Sequence, residues 1–225
     1  MFAVVQVHTE HHAPLAAITV DNKKEYCQRH GYKYIEISSQ NDLDMSKGSV
    51  PCVSMNSHSI AVGWSKIKVM EKLLKEHKDV EWFFWIDTDA LFVDFTQKLE
   101  DKVDDGSFFI VGRDCNGINV GTFFIKNCEK SLKFLQEVWE TGPVTGKWWT
   151  ETEQGQIDLH GLKKDYRVGF SVVSNKEFNS YLHDCDPGVM PCHKYEEGQG
   201  HFVVHLPGQS GKEEKLRGLL EKVIK

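Results

Sequence analysis

The chain has 225 residues, of which 40% are hydrophobic and 27% are charged, and its formal net charge at pH 7 is -6. This composition is typical of a globular domain, and a mildly acidic chain without a long basic run has no general attraction for nucleic acids or anionic membranes. Because no stretch approaches the roughly 18 consecutive apolar residues of a membrane-spanning helix, the sequence predicts no membrane span.

Predicted strands and helices alternate over most of the chain. In order, they are strand 2–7, helix 14–30, strand 32–38, helix 65–77, strand 82–86, strands 107–112 and 120–125, helices 128–140 and 151–162, strands 166–173 and 201–206, and helix 212–225. Gly31 is placed to end the first helix, and the polar residues 40–63 predict a loop. Without a visible repeat or linker, this alternation predicts a single α/β domain with a mostly parallel central sheet flanked by helices.

The segment EWFFWIDTDALFVD, residues 81–94, places two carboxylates directly after an aromatic, apolar run. A desolvated carboxylate is costly unless it is paired or binds a metal, so Asp87 and Asp89 either turn into solvent as an ordinary loop or hold a cation. In α/β sheets, ligands bind beyond the carboxyl ends of strands. Mg²⁺ and Mn²⁺ prefer oxygen ligands and are commonly completed by phosphates, so the pattern favours a metal site that neutralises a diphosphate.

Two classes of enzyme fit an acidic pair at a strand end. One is a nucleotide-sugar transferase, in which a metal holds the leaving diphosphate. The other is a haloacid-dehalogenase-type phosphatase, in which Asp87 would attack phosphorus. The phosphatase motif favours a small hydroxylic residue or Val where this chain has Leu91, and it tends to lie on the first strand. The transferase is therefore favoured, with the phosphatase and a catalytically inactive sugar-nucleotide-binding domain as alternatives.

The cysteines are widely spaced and form no CxxC pair, which favours a reducing compartment with free thiols. There are six of them: Cys27, Cys52, Cys115, Cys128, Cys185 and Cys192. The stretch HDCDPGVMPCH offers a zinc site through His183, Cys185, Cys192 and His193, or a surface loop closed by a Cys185–Cys192 disulfide. The tight paired spacing of structural zinc sites is missing, so the loop is favoured.

Five segments in order carry a resemblance to a known family. They are NKKEYCQRHGYKYIEI, WSKIKVMEKLLKEHKDVEWFFWIDTDALFVD, GINVGTFFIKNCEKSLKFL, TEQ and FVVHLPG. Together they resemble the retaining GT-A glycosyltransferases that include fungal α-galactosyl- and α-mannosyltransferases and plant xyloglucan α-1,6-xylosyltransferases, over roughly residues 20–210. The resemblance implies a GT-A catalytic domain over residues 1–225, with a nucleotide-binding half at about 1–95 and an acceptor-binding half at about 96–225.

The same resemblance implies the partners and the site. The donor would be a UDP- or GDP-sugar, the acceptor a hydroxyl of a glycan or glycoprotein, and the product an α-linkage. The implied metal ligands are Asp87, Asp89 and His205, for Mn²⁺ or alternatively Mg²⁺. The implied donor-binding positions are Val7, His8, Thr9, Lys66, Asp87, Gly121 and Gly208. The implied catalytic positions are Asn119, Glu153 and Gln154.

Each of these positions also has a structural interpretation. His205 could instead be a core histidine, with His201 as a competing ligand, and Lys66 could instead be a solvated lysine at a helix start. Asn119 could simply lie at the start of a strand, and Glu153 could complete a capping box with Thr150. Trp148 and Trp149 are either acceptor-binding aromatic faces or core packing.

Two departures from the plant pattern stand out. Thr152 occupies the place of the first acid before Gln154, and Ser210 stands where the plant enzymes have a basic residue after His205. Lys212 is the candidate to replace that residue in contacting phosphate. The N-terminus does not read as a signal peptide. We therefore expect a cytoplasmic enzyme if this is the full natural chain, and a Golgi-lumenal one if it is a trimmed catalytic domain.

Overall fold

The computed structural model describes residues 1–49, 57–114, 116–183 and 193–223, and of residues 49, 57–59 and 148 only the backbone. Cys185 and Cys192 lie outside these residues, so the zinc and disulfide interpretations are not addressed by the fold. Cys27 and Cys128 are free thiols. Among the described residues, no helix is both long and apolar enough to cross a membrane.

The described residues form nine strands and six α-helices. The strands are β1 (Phe2–Val7), β2 (Lys33–Ile37), β3 (Trp82–Ile86), β4 (Ala90–Phe92), β5 (Phe109–Asp114), β6 (Gly117–Lys126), β7 (Phe170–Ser174), β8 (Ser180–Tyr181) and β9 (Val203–His205). The helices are α1 (Ala13–His30), α2 (Ser57–Glu76), α3 (Glu129–Thr141), α4 (Trp148–Glu151), α5 (Glu153–Gly161) and α6 (Lys212–Val223). As predicted, α1 ends at Gly31, which takes the left-handed conformation with φ 70°.

A six-stranded sheet with the order β2-β1-β3-β6-β5-β7 forms the centre of the fold. The pairs β1–β2, β1–β3 and β5–β7 are parallel, whereas β6 is antiparallel to both β3 and β5. Five strands therefore run in one direction and β6 runs against them. This agrees with the predicted mostly parallel sheet, and it brings the start of β6 to the edge where β1 and β3 end.

The central strand β3 is buried on both faces, which explains its unbroken apolar sequence. Phe83 and Trp85 pack into a core with side chains of α2, α3 and α5. Trp82, Phe84 and Ile86 pack on the opposite face, with side chains of α1, β4 and β9. Full burial of one such large side chain contributes about 1.5–3 kcal/mol, so β3 anchors both layers.

A second sheet of three short strands, in the order β4-β9-β8, lies beside the end of β3. β4 and β9 are antiparallel, with Ala90 opposite His205. The pairing brings a residue near the end of the chain next to the acidic pair. β4 and β8 were not predicted from the sequence, because each is only two or three residues long.

The predicted start of α2 is wrong. The helix begins at Ser57, eight residues before the predicted start, and two 3-10 turns, Gln40–Asp42 and Ser46–Ser49, interrupt the predicted loop. Ile60, Trp64 and Ile67 are almost fully buried and extend the apolar stripe of α2 toward its N-terminus. The serines and the glycine in the first turns of α2 made the helical periodicity hard to recognise in the sequence.

Candidate metal and donor site

The acidic pair lies in a turn that directly follows β3. The Asp87 N–H donates to Gly121 O on β6 at 2.8 Å, and the Ala90 N–H donates to Asp87 O at 3.1 Å. Leu206, directly after β9, donates its N–H to Asp89 O at 3.1 Å. The backbone of the pair is therefore held by both sheets.

The side chains of Asp87, Asp89 and His205 meet at this turn. Each offers one ligand atom, and these atoms lie within 4.8 Å of one another. His205 Nε2 is 3.3 Å from Asp89 Oδ1. Two carboxylates and an imidazole form a donor set that suits a divalent cation, so the residues present fit the metal that the resemblance implies.

Gly121 makes room for the His205 ring. A β-carbon at residue 121 would lie 2.1 Å from His205 Cε1, well inside the contact distance of two carbons. The resemblance implies that Gly121 binds the donor, and the contact observed in the structure is with His205. His201, the competing ligand, is buried elsewhere, with its Nδ1 2.6 Å from Ser180 Oγ.

Lysines from two helices neutralise the acidic pair. Lys212 Nζ lies 2.5 Å from Asp89 Oδ2, and Lys66 Nζ lies 3.3 Å from Asp87 Oδ1. Burial acts to raise the pKa of Asp89, but the adjacent His205 and Lys212 outweigh it and hold that pKa well below its ordinary value. Asp89 is thus held as a carboxylate, the form that binds cations.

Lys66 is not a solvated lysine. Its side chain is 7% exposed, its ammonium donates to Val120 O at 2.7 Å, and it lies 5.0 Å from the centre of the Trp85 ring. It also lies 3.8 Å from Glu153 Oε1, so it is shared between two carboxylates. Because α2 begins before the predicted start, Lys66 lies within the helix.

Glu153 and Gln154 begin α5 and turn toward β6 and α2. The side chain of Thr152 caps the helix by accepting from the Gly155 N–H at 3.1 Å, so the capping box proposed for Thr150 and Glu153 does not form. Gln154 Oε1 accepts from the Val120 N–H at 3.0 Å. Burial raises the pKa of Glu153, and the charge of Lys66 opposes that shift.

A cavity of about 510 Å³ opens above these groups. Its lining includes six predicted residues: Val7, His8, Lys66, Asp87, Asp89 and Glu153. It also includes Lys212, the candidate phosphate contact, and six residues that the sequence analysis missed: His11, His12, Val62, Gly63, Trp85 and Thr88. The cavity therefore combines carboxylates at its metal side with lysine, histidine and aromatic surfaces.

Of the residues whose side chains the structure describes, the other predicted site residues do not line this cavity. Thr9 is buried, with its hydroxyl 3.2 Å from His12 Nδ1. Gly208 follows β9 with φ 65° and has no atom near its missing β-carbon. Trp149 lies 3.1 Å from the position of a β-carbon on Gly117 and packs against the core while remaining partly exposed. The side chain of Trp148 lies outside the described part of the chain.

Two buried polar residues near the site were not predicted. Lys23 donates to Gln6 Oε1 at 2.5 Å and to Asp87 O at 2.8 Å, and burial lowers its pKa to about 7. It lies on the core-facing side of α1, four residues after the buried Thr19 and three before the buried Tyr26, a spacing that could have revealed it. Asn179, which contacts both Asn119 and His205, carries no comparable sequence signal.

The comparisons with known proteins agree with one another. A family model described as "galactosyl transferase GMA12/MNN10 family" matches residues 1–107 and 104–214. The "Probable alpha-1,6-mannosyltransferase MNN10" of Saccharomyces cerevisiae is 28% identical over 91% of this chain. The "Uncharacterized alpha-1,2-galactosyltransferase C637.06" of Schizosaccharomyces pombe is 23% identical over 91% of it. The chain spans 58% and 66% of the lengths of these two relatives.

Solved structures show the same fold at low sequence identity. A glycosyltransferase involved in the glycosylation of the major capsid of PBCV-1 shares 16% identity, with 98% of each chain covered and a TM-score of 0.70. The galactosyltransferase LgtC, in complex with donor and acceptor sugar analogs, shares 13% identity over 99% of this chain and 96% of its own, with a TM-score of 0.59. These likenesses confirm the predicted GT-A fold. The phosphatase alternative is not favoured, since the acidic pair follows the third strand of the chain.

Proposed function

The chain belongs to the galactosyl transferase GMA12/MNN10 family, and on that premise we propose that it is a metal-dependent, retaining glycosyltransferase. It would move a hexose or pentose from a UDP- or GDP-sugar to a hydroxyl of a glycan or glycoprotein and form an α-linkage. One observation carries this proposal. The ligand atoms of Asp87, Asp89 and His205 converge beside a cavity into which two lysines project.

The three ligands would hold a divalent ion, for which we propose Mn²⁺, with Mg²⁺ as the alternative. When bound, such an ion supplies Lewis-acid stabilisation of the charge that develops on a leaving diphosphate. Lys66 would add a positive charge on the α2 side of the donor. Lys212 would leave Asp89 and contact phosphate from the start of α6, in place of the basic residue that Ser210 replaces.

The sugar would lie between the acidic pair and the start of α5. The bond between its anomeric carbon and the diphosphate oxygen breaks, and the acceptor hydroxyl forms the new bond from the same face. The hydroxyl proton passes to the departing phosphate oxygen. Gln154 would stabilise the positive charge of the sugar from the opposite face, because an amide is too weak a nucleophile to form a covalent intermediate. Glu153 and Asn119 would border the same carbon.

We propose that residues 1–95 form the nucleotide-binding half, with Val7, His8 and Thr9 beside the base and Gly121 and Gly208 beside the donor. Residues 96–225 would bind the acceptor, with Trp148 and Trp149 as the aromatic surface, and would complete the donor cavity through Glu153 and Lys212.

The activity would be cytoplasmic if this is the full natural chain, and Golgi-lumenal if it is a trimmed catalytic domain.

A thermal-shift panel tests this function. UDP, GDP and their common sugars are each added with Mn²⁺ or with EDTA to the wild type, to Asp89→Ala and to the control Asp105→Ala, whose side chain is exposed and does not line the cavity. Ligand binding to the native state raises the melting temperature. We expect one nucleotide to raise it only with Mn²⁺, in the wild type and in Asp105→Ala but not in Asp89→Ala.

The absence of a shift with every nucleotide would contradict the transferase. Slow hydrolysis of the sugar donor identified by the panel then separates an active enzyme from an inactive sugar-nucleotide-binding domain, which would bind without turnover. Cleavage of an aryl phosphate with Mg²⁺ would instead support the phosphatase.

A further inference from the structure

Asn179 connects two residues of the proposed site. It lies directly before β8, is completely buried, and is within hydrogen-bond distance of both Asn119 on β6 and His205 on β9. A β-carbon on Gly112 would lie 3.3 Å from Asn179 Cβ, so the backbone around the asparagine is tightly packed. Such a buried amide normally has every one of its polar atoms satisfied.

Two backbone groups determine which way the amide points. The Gly121 N–H donates to Asn119 Oδ1 at 3.0 Å, which identifies that atom as the oxygen. Asn179 Nδ2 lies 3.1 Å from this oxygen and 3.2 Å from the backbone carbonyl of Asn119. Two acceptors require a donor between them, so the atom of Asn179 that faces Asn119 is its NH₂ group.

The amide in turn determines the tautomer of His205. Its remaining atom, Asn179 Oδ1, is an acceptor and lies 3.0 Å from His205 Nδ1. Nδ1 must therefore carry a proton, and in the neutral ring Nε2 is left with its lone pair facing Asp89 Oδ1 at 3.3 Å. With a cation between them, the Nε2 lone pair and the carboxylate oxygen would both be ligands of that cation. The opposite tautomer would turn the Asn179 oxygen toward the two acceptors of Asn119.

We propose that Asn179 is a positioning residue that holds His205 in its Nδ1-protonated form, with Nε2 available to the metal. It acts through His205 and does not contact the metal. The same amide is hydrogen-bonded to both His205 and Asn119, so it connects the proposed metal ligand to the residue proposed to border the sugar. The role of this tautomer in metal binding rests on the proposed function, but the tautomer itself can be measured in the protein without metal.

Nitrogen-15 NMR of the histidine rings tests the tautomer without metal. Spectra are recorded at a pH at which the rings are neutral, and His205→Gln identifies the signal. We expect the wild type to show protonated Nδ1 and unprotonated Nε2. Asn179→Leu should lose this preference, because leucine accepts no hydrogen bond. Asn179→Asp should keep it through one carboxylate oxygen, at a cost in stability because its other oxygen faces the two acceptors of Asn119. A wild-type neutral ring without a proton on Nδ1 would overturn the proposal, even if Asn179→Leu fails to fold.

Asn175→Leu is the matched control. Asn175 is equally buried and hydrogen-bonds Asn179 O and His193, but it does not contact His205. It should lose stability much as Asn179→Leu does and keep the wild-type tautomer. If Asn175→Leu shifts the tautomer as far as Asn179→Leu, the effect is general packing damage and the proposal fails.

Calorimetric titration with Mn²⁺ alone then measures the consequence. Loss of an outer-shell partner of a metal-binding histidine typically weakens metal binding about 10–100-fold, and we expect this in Asn179→Leu. Asn179→Asp should lose much less affinity than Asn179→Leu, since it retains the acceptor. Equal affinity in the wild type and Asn179→Leu would contradict the positioning role. Failure of the wild type to bind Mn²⁺ would contradict the metal site, while the tautomer result stands by itself.

Discussion

The His205 ring lies in the space that a side chain at Gly121 would occupy. A β-carbon at residue 121 would lie 2.1 Å from His205 Cε1, so only glycine fits at this position. The glycine belongs to β6 and the histidine to β9, so the contact joins the central sheet to the small one. It fixes how closely the imidazole approaches the acidic pair.

Gly121→Ala should therefore displace the imidazole and weaken Mn²⁺ binding by about 10-fold or more, because metal ligands tolerate little misplacement. The measurement is calorimetric titration with Mn²⁺, with circular dichroism to check that the variant folds. Gly218→Ala on α6, where nothing surrounds the new methyl group, is the control, and we expect it to stabilise the protein by up to about 1 kcal/mol. Wild-type affinity in Gly121→Ala would show that His205 does not bind the metal.

Lys212 holds a position at Asp89 that a bound cation would need. Removing its charge in Lys212→Met should raise the affinity for Mn²⁺ about 3–10-fold in the absence of donor, since a nearby positive charge repels the ion. The same variant should raise KM for the nucleotide sugar, because the phosphate contact is lost. Lys215→Met, one turn further along α6, serves as the control. Weaker Mn²⁺ binding in Lys212→Met would mean that the lysine does not compete with the metal.

Lys66 is the shared partner of Asp87 and Glu153, so Lys66→Met should leave two carboxylates without their cation. We expect kcat/KM to fall about 100-fold or more, because the contact with the diphosphate is lost. The pKa of Glu153 should rise further, because in the wild type the charge of Lys66 opposes the upward shift caused by burial. Donor kinetics and the binding of UDP and GDP with Mn²⁺ measure the loss. Lys72→Met on the exposed face of α2 should have no effect. Undiminished nucleotide binding and turnover in Lys66→Met would assign the lysine a structural role only.

Glu71 connects α2 to α3 at a distance from the site. Lys68 and Lys75 donate to it at 2.7 and 2.6 Å, and Gln136 of α3 donates at 3.3 Å. Burial acts to raise the pKa of Glu71, but these hydrogen bonds outweigh it and hold the pKa at about 2. A carboxylate with a lowered pKa stabilises the fold above its unfolded pKa, here about 4.5, and that contribution is lost as the pH falls toward about 2.

Glu71→Gln should therefore lower the free energy of unfolding by about 1–2 kcal/mol at pH 7, less than the full shift implies because both lysines are partly solvated. The difference from the wild type should shrink below about pH 4.5 and be nearly absent near pH 2. Denaturant titrations at several pH values measure it, with the exposed Glu140→Gln as a control that should match the wild type. A difference that stays constant with pH would contradict the charge-based explanation.

Local patterns were enough to predict β3, the acidic pair and the alternation of strands and helices. The apolar run from residue 82 to 86 and the two aspartates after it are contiguous, so their geometry follows from the strand itself. The resemblance supplied His205, which no pattern of its neighbours distinguishes from a core histidine. The pairing that brings it to Asp89 joins β9, which lies within the predicted strand 201–206, to β4, which was not predicted because a strand of three residues carries no periodic signal.

Asn179 was missed because it acts through contacts with residues far away in the sequence, and such contacts depend on how the two sheets pack together. Lys212 was predicted as a phosphate contact, but its contact with Asp89 was missed for the same reason. The early start of α2 was missed for a different reason. Its first two turns contain Ser and Gly, residues with low helix propensity, and burial of Ile60 and Trp64 overrides that preference.

The antiparallel pairing of β4 with β9 also sets an order of events during protein synthesis. Asp87 and Asp89 emerge from the ribosome with the strand that positions them, but their third partner is made more than a hundred residues later. Helix α6, whose Leu216 and Leu219 pack with Ile18 of α1, follows later still. A nascent chain can therefore form much of the central sheet while its two aspartates still lack the histidine, and it becomes competent to bind metal only after β9 has been made.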